Sequence, residues 1–152
     1  MKHILGLVSS VFICMVVHSL PAQAFSPKTL PISQSSDHWK VTIEEPVLDG
    51  MQPPKGVADL YKVNVTNIGE NVYDATIEVY QEDPVTQTKS RLGTYDIPKT
   101  QNFFEHQNLG VSVKSKMIEI VVTWREEPSR MMENEQKDSA QKVKQSFSFR
   151  QD

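Results

Sequence analysis

The chain has 152 residues, and its 16 basic and 19 acidic side chains give a formal net charge of −3 at pH 7. Because the basic residues are scattered among acidic ones, the sequence lacks the clustered cations that a nucleic-acid-binding protein needs. It contains a single cysteine, Cys14, so no disulfide within the chain can stabilise the fold.

The first 24 residues have the three-part layout of a secretory signal peptide. Lys2 precedes an apolar run over residues 4–17, and the small residues Ala22 and Ala24 follow, where signal peptidase requires narrow side chains. The run of about 14 residues is shorter than the roughly 20 that a membrane-spanning helix needs. We therefore predict a signal peptide over residues 1–24 with cleavage after Ala24. The alternative is an uncleaved amino-terminal segment that acts as a membrane anchor.

Cleavage after Ala24 leaves residues 25–152, which are 128 residues with 15 basic and 19 acidic groups and a net charge of −4. Cys14 leaves with the signal, and an exported domain without cysteines is commoner in bacteria than in animals. A chain of this length buries about two-thirds of its unfolded surface, which suits one domain. No segment of the mature chain is apolar enough to span a membrane. We expect a secreted protein, or one of the periplasm or cell envelope.

The segment 25–36 is rich in Ser and Pro without apolar periodicity, so we interpret it as a flexible lead to a domain over residues 37–152. From Trp39 onward, apolar residues recur at every second position, which predicts half-buried strands. The strand over 116–125 is apolar on both faces at Val121, which predicts a central position. The seven predicted strands cover residues 39–44, 57–66, 73–80, 92–97, 102–113, 116–125 and 143–149.

Seven short strands separated by turns, without a convincing helix, predict an all-β fold, an immunoglobulin-like antiparallel β-sandwich. Trp39 and Trp124 fall on inward positions and are expected to pack in its core. Gly69 lies in the turn after the second strand, where a glycine is free to take a positive φ. Gly93 interrupts the fourth strand and is expected to mark a bulge.

Two places on this fold offer candidate contacts for a partner. Tyr80 lies on the outward face of the third strand beside Glu78 and Glu82, where it could stack on a sugar or dock on a protein. The polar segment 126–141 is either a mobile loop, which its low apolar content favours, or a short helix from Arg130. Its adjacent methionines are adaptable side chains that a partner could contact, and they are Met131 and Met132.

Residues 63–80 resemble the second and third strands of bacterial immunoglobulin-like domains of the CARDB type. They show a strand, an Asn-x-Gly turn at residues 67–69, and a second strand that carries the small residue Ala75. The resemblance covers 18 of the 128 mature residues. It implies an extracellular module that supports adhesion or holds partner domains, without catalytic residues to carry over. This chain differs in being a single module.

The mature chain shows no motif for catalysis, metal binding or cofactor binding, and we predict no cofactor. Only His38 and His106 remain after cleavage, whereas a metal site draws several His, Cys or carboxylate ligands at set spacings. The sequence also lacks the Gly-x-Ser-x-Gly pattern of a nucleophile elbow. Adjacent carboxylates lie next to strand ends and turns, where we expect solvated surface, and they are Glu44-Glu45, Glu82-Asp83 and Glu126-Glu127.

A complete sandwich pattern without a convergent catalytic set favours a non-enzymatic module. We predict an exported interaction or adhesion module of the bacterial cell envelope that binds a protein or a glycan through one sheet face or the loops at one end. One alternative is a hydrolase, or an accessory domain of a hydrolase, whose acids converge only in the folded chain. The other is a chaperone or inhibitor that offers an edge strand, with 143–149 as that strand.

Overall fold

Alternating apolar and polar side chains build most of the long strands of the protein. The computed structural model describes residues 25, 27, 29–53, 55–83, 85–99, 101–128 and 141–150. Within these residues it contains eight strands and no helix. They are β1 (Ile32–Ser35), β2 (Trp39–Glu44), β3 (Ala58–Asn67), β4 (Tyr73–Glu82), β5 (Lys89–Asp96), β6 (Phe103–Ser112), β7 (Met117–Arg125) and β8 (Lys142–Arg150).

The strands form two four-stranded sheets, and every neighbouring pair is antiparallel. Sheet A has the order β1-β2-β3-β6, and sheet B has the order β5-β4-β7-β8. The chain crosses between the sheets after β3, after β5 and after β6. This architecture confirms the predicted all-β antiparallel sandwich, with eight strands instead of seven. It also confirms that β7 is central, because β7 pairs with both β4 and β8.

The core lies between the two sheets and consists of the inward members of each alternating strand. Trp39, Val41 and Ile43 of β2 are completely buried, as are Ile120 and Val122 of β7. The rings of Trp39 and Trp124 meet edge to face with their centroids 5.7 Å apart, which joins sheet A to sheet B. The prediction that both tryptophans lie in the core is therefore confirmed. Such aromatic contacts add about 0.5–1.5 kcal/mol to the energy of burial.

The amino-terminal lead differs from its prediction as a flexible segment over residues 25–36. Ile32–Ser35 form β1, which pairs antiparallel with β2, so the folded unit begins before Asp37. Phe25 is also part of the core at 1% exposure. Its ring packs edge-on against Tyr61 at 5.4 Å, and the Tyr61 hydroxyl donates a hydrogen bond to the Phe25 carbonyl. The sequence misses β1 because a four-residue polar edge strand is held by backbone hydrogen bonds and leaves no apolar alternation.

Two glycines have structural roles that their positions in the sequence only partly indicate. The β4–β5 register shifts beside Gly93, between Val79 and Tyr80, which confirms the predicted bulge. Gly69 does not use the positive φ that a glycine allows; among the described glycines, Gly50 and Gly56 have that conformation. Instead, the absence of a side chain at Gly69 lets the β3–β4 turn approach the backbone of residues 37–38.

The outer face of sheet A carries an ion triad that links three strands. Lys62 of β3 lies between Glu44 of β2 and Glu105 of β6, with Nζ–Oε2 distances of 3.4 and 3.1 Å. The Lys62 hydrogen bond holds the pKa of Glu105 below its usual 4.5, and a second bond from Gln107 adds to the effect. The same contact with Glu105, followed by Glu44, raises the pKa of Lys62 above 10.5.

We expect the triad to contribute stability above pH 4.5 that is lost as the pH falls through the lowered pKa of Glu105. The reason is that the unfolded chain then binds a proton more readily than the folded chain. Lys62→Met should flatten this acid dependence, by a small amount because the side chains are partly exposed. Urea unfolding between about pH 3 and 6 measures the slope. Equal slopes for both chains would contradict the prediction.

Candidate functional site

A charged pocket of about 420 Å³ lies on the outer face of sheet B, at the end of the sandwich that holds the β3–β4 turn. Four strands supply it: the start of β4, the end of β5, the end of β7 and the start of β8. We call it the sheet B pocket. Its lining residues are Asp74, Ala75, Thr76, Asp96, Ile97, Pro98, Lys99, Arg125 and Lys142.

An irregularity in β4 shapes one wall of the pocket. The pairing of β4 with β7 shifts between Tyr73 and Thr76, and Asp74 lies within the shift with a φ of 50°. Asp tolerates this left-handed conformation better than most residues. From this position its carboxylate lies 3.8 Å from Nη1 of Arg125 and 4.0 Å from Nζ of Lys99. The bulge therefore places a carboxylate between two cations.

The opposite wall of the pocket is formed where β4 meets β5. Thr76 and Asp96 are register partners, and Oγ1 of Thr76 donates a hydrogen bond of 3.0 Å to Oδ1 of Asp96. Asp96 is thereby oriented towards its neighbour in β4. Both aspartates line the same cavity, so the structure brings together two carboxylates that lie 22 residues apart in the chain.

The charge of the pocket is opposite in sign to that of the chain. It holds three cations and two carboxylates, whereas the whole chain has a net charge of −3. The cations differ in accessibility, because the Arg125 side chain is 13% exposed while that of Lys99 is 81% exposed. Lys142 is also exposed. The pocket therefore suits a ligand with an acidic group, because such a group can reach the two exposed lysines from solvent.

The candidate contact residues from the sequence lie outside this pocket. Tyr80 is on the same face of sheet B but half-buried, in register with Arg91 of β5 and Glu119 of β7. It lies six residues along β4 from Asp74, which is roughly 20 Å at the rise of a strand. Met131 and Met132 lie outside the described residues. The contact role of all three stays a prediction.

The face around Tyr80 is covered by ion pairs between strands. Arg91 contacts Glu78 at 3.1 Å, and Lys89 contacts Glu119 at 2.7 Å. Glu119 is buried at 9% exposure, although it points away from the core. The outer face of sheet B around Tyr80 thus carries a network of ion pairs.

The two histidines occupy separate places. The His38 ring lies 5.5 Å from that of Trp124, beside a cavity of about 450 Å³ that Glu70 and Glu126 also line. The His106 ring lies 5.4 Å from Tyr95, on the side of the sandwich closed by β5 and β6. Among the described residues, neither imidazole has a hydrogen bond to a serine hydroxyl. No group of three potential metal ligands is present in that part of the chain.

A second concave surface lies at the opposite end of the sandwich and is more apolar. Its groove of about 350 Å³ lies beside the β2–β3 connection. Leu48, Met51 and Val57 of this connection are 46, 53 and 62% exposed. The residues that line the groove are Pro27, Leu30, Glu45, Pro46, Leu48, Pro53, Asp59, Leu60 and Tyr61.

Sequence reasoning missed the charged residues of the sheet B pocket. No local signal in the sequence distinguishes Asp74, Lys99 and Lys142 from ordinary solvated charges at the ends of strands. Their proximity depends on the order of β5, β4, β7 and β8 in the sheet. The Asp96-Ile97-Pro98-Lys99 turn, which places an acid and a base after a strand, is the nearest to a local indication.

Comparison with known proteins identifies the family. The model of the YozF-like secreted protein family matches residues 23–152. The chain belongs to this family. It is also similar to uncharacterized protein YozF of Bacillus subtilis strain 168, with 26% identity over 149 residues, 86% of this chain and 85% of the relative.

The family has consequences for two predictions. Its description as secreted agrees with the predicted export of this chain, and its match begins two residues before Phe25, the predicted first residue of the mature protein. The resemblance to CARDB-type domains gains no support, because the family that matches is a different one. The described part of the chain contains no helix long and apolar enough to cross a membrane.

Proposed function

We propose that this protein is an exported, non-enzymatic interaction module of the bacterial cell envelope that binds another protein through the sheet B pocket. The observation that carries the proposal is the assembly of three cations and two carboxylates around one cavity by four strand ends. These residues lie on the outer face of sheet B, while the core packs on the inner face. Their arrangement is therefore available for recognition.

The chemistry of the pocket favours a protein over a glycan. Its lining contains no aromatic side chain, and aromatic rings are common in sites that bind small organic ligands. Paired charges of both signs match the acidic and basic side chains of a protein surface. The partner that fits is one that presents a carboxylate to Lys99 and Lys142.

We also propose that the sandwich is of the immunoglobulin-like type. Taking β2 as strand A, the orders β2-β3-β6 and β4-β7-β8 correspond to A-B-E and C-F-G of that architecture, with β5 beside β4. The tryptophans differ, because they lie on β2 and β7 instead of on the strand equivalent to C. The strand order supports the fold type, and the family remains YozF-like.

We expect Lys99→Glu/Lys142→Glu to reduce capture of the protein partner at least about tenfold, since two reversed charges repel an acidic group. The measurement is quantitative cross-linking of the mature chain, residues 25–152, to an envelope fraction of the source cells, with protein and glycan adducts scored separately. Lys40→Glu/Lys116→Glu is the charge-matched control, because both side chains are exposed and lie outside the pocket.

Equal capture by the two double variants would contradict the proposal, and so would adducts formed only with glycans. The hydrolase alternative rests on Asp74 and Asp96, which line one cavity as the two acids of a glycosidase do. Turnover of ester, glycoside or peptide substrates by the mature chain, abolished in Asp96→Asn, would favour that alternative.

A further inference from the structure

The sandwich leaves four edge strands, and they differ in their capacity to pair with another chain. In sheet A, β1 has only four residues, and the register of β6 with β3 shifts between Tyr61 and Val63. In sheet B, the register of β5 with β4 shifts between Val79 and Tyr80. Short strands and bulges are devices that protect edges from pairing. By contrast, β8 pairs with β7 over nine consecutive residues without a shift.

Among the described residues, a side chain of β1 forms a hydrogen bond with the outer edge of β8. Nε2 of Gln34 in β1 donates a hydrogen bond of 2.8 Å to the carbonyl of Ser148. This carbonyl therefore points away from β7, and alternate residues of an antiparallel strand direct their backbone groups to the same side. Lys144 and Ser146 accordingly present their N–H and C=O groups at the open edge.

The charge of β8 decides which occupant fits this edge. The strand carries Lys142, Lys144 and Arg150 and has no acidic residue. None of these three cations forms an ion pair with an acid in the described part of the chain. Glu119 of the neighbouring β7 is already held by Lys89. A second copy of β8 would bring like charges together, which disfavours pairing of two identical chains.

We infer that the partner adds an extended acidic segment as a ninth strand, along residues 142–146 of β8. Its backbone pairs with Lys144 and Ser146, and its acidic side chains meet Lys142 and Lys144 on the outer face of sheet B. Lys142 also lines the sheet B pocket, so the added strand would pass along the β8 side of that pocket. The inference rests on the proposed function, because it names the kind of protein segment that the pocket receives.

The probe is a synthetic peptide of about eight residues that alternates Glu and Val, with a Lys–Val peptide of equal length as its charge-reversed counterpart. Amide hydrogen exchange of the mature chain, residues 25–152, is followed residue by residue. We expect the Glu–Val peptide to slow exchange at Lys144 and Ser146 at least about tenfold, while the Lys–Val peptide has no effect.

Two pairs of variants test the backbone and the charge separately. Ser146→Pro removes an N–H that points away from β7, and edge positions of this kind tolerate proline. It should abolish binding of the Glu–Val peptide, whereas Ser146→Ala should retain it. If Ser146→Pro does not fold, Lys144→Glu still tests the inference. It should weaken binding at least about tenfold, while Lys40→Glu on sheet A has little effect.

Four results would overturn strand addition. The first two are unchanged amide exchange at Lys144 and Ser146, and equal effects of the two peptides. The others are equal binding of the Glu–Val peptide by Ser146→Pro and Ser146→Ala, and amide protection that rises with protein concentration in the absence of peptide. The last would identify a second copy as the occupant. If cross-linking to the envelope still depends on Lys99 and Lys142 after any of these, the proposed function stands without the added strand. If cross-linking does not depend on the charges of Lys99 and Lys142, the proposed function itself fails.

Discussion

Phe25→Ala is expected to lower the free energy of unfolding by about 3–5 kcal/mol, the usual cost of removing a buried phenylalanine ring. Phe25 is 1% exposed and packs against Tyr61, although it is the first residue after the predicted cleavage site. Since small domains are stable by only about 5–15 kcal/mol, the loss is a large part of the total. Signal cleavage one residue later should have the same effect, because it removes the same ring.

Urea unfolding of residues 25–152 measures this effect, with Phe103→Ala as the matched control. Phe103 is 48% exposed at the start of β6, so its truncation should cost about 1 kcal/mol or less. If the two variants lose equal stability, the Phe25 ring is not held in the core. The amino-terminal segment would then be the flexible lead that its composition predicts.

Gly69→Ala is expected to lower the free energy of unfolding by about 1–3 kcal/mol, the typical cost of overpacking. A Cβ at this position would lie 2.8 Å from the carbonyl oxygen of Asp37 and 2.9 Å from Cα of His38. Both are backbone atoms that cannot rotate away. The amides of Ile68 and Gly69 also donate hydrogen bonds to the His38 carbonyl, so relief of the clash would weaken these bonds.

Gly110→Ala is the control for this substitution, because a Cβ there meets only Cδ2 of Leu60, at an ordinary distance of 3.9 Å. Gly110 lies within β6, where replacing glycine by alanine should be neutral or stabilising by up to about 1 kcal/mol. Thermal or urea unfolding compares the two variants. A Gly69→Ala chain as stable as the Gly110→Ala chain would show that the turn can move away from residues 37–38.

Much of the fold follows from patterns within short stretches of the chain. Alternate side chains of a strand point to opposite faces, so the spacing of Trp39, Val41 and Ile43 already separates the buried face of β2 from the solvated one. The same reasoning identifies β7 as central from the apolar Val121 on its second face. The prediction of export is equally local, because it depends on the three-part layout of the first 24 residues.

The two stability predictions concern contacts that no local pattern contains. Phe25 carries no periodic signal, and its burial depends on Tyr61, which lies 36 residues further along the chain. Gly69 can be recognised from sequence as a turn glycine. The reason that it must be glycine lies in the approach of residues 37–38, which the pairing of β2 with β3 brings alongside.

The sheet B pocket shows the same limit most clearly. A sequence establishes which residues can face a core, because that depends on alternation along one strand. It does not establish which strand ends meet, because that depends on strand order and register across the whole sandwich. The charged side chains of the pocket come together only when its four strands are aligned and the pairing of β4 with β7 shifts at Asp74. They include Asp74, Asp96, Arg125 and Lys142. Packing of the two sheets, a property of the complete chain, selects that alignment.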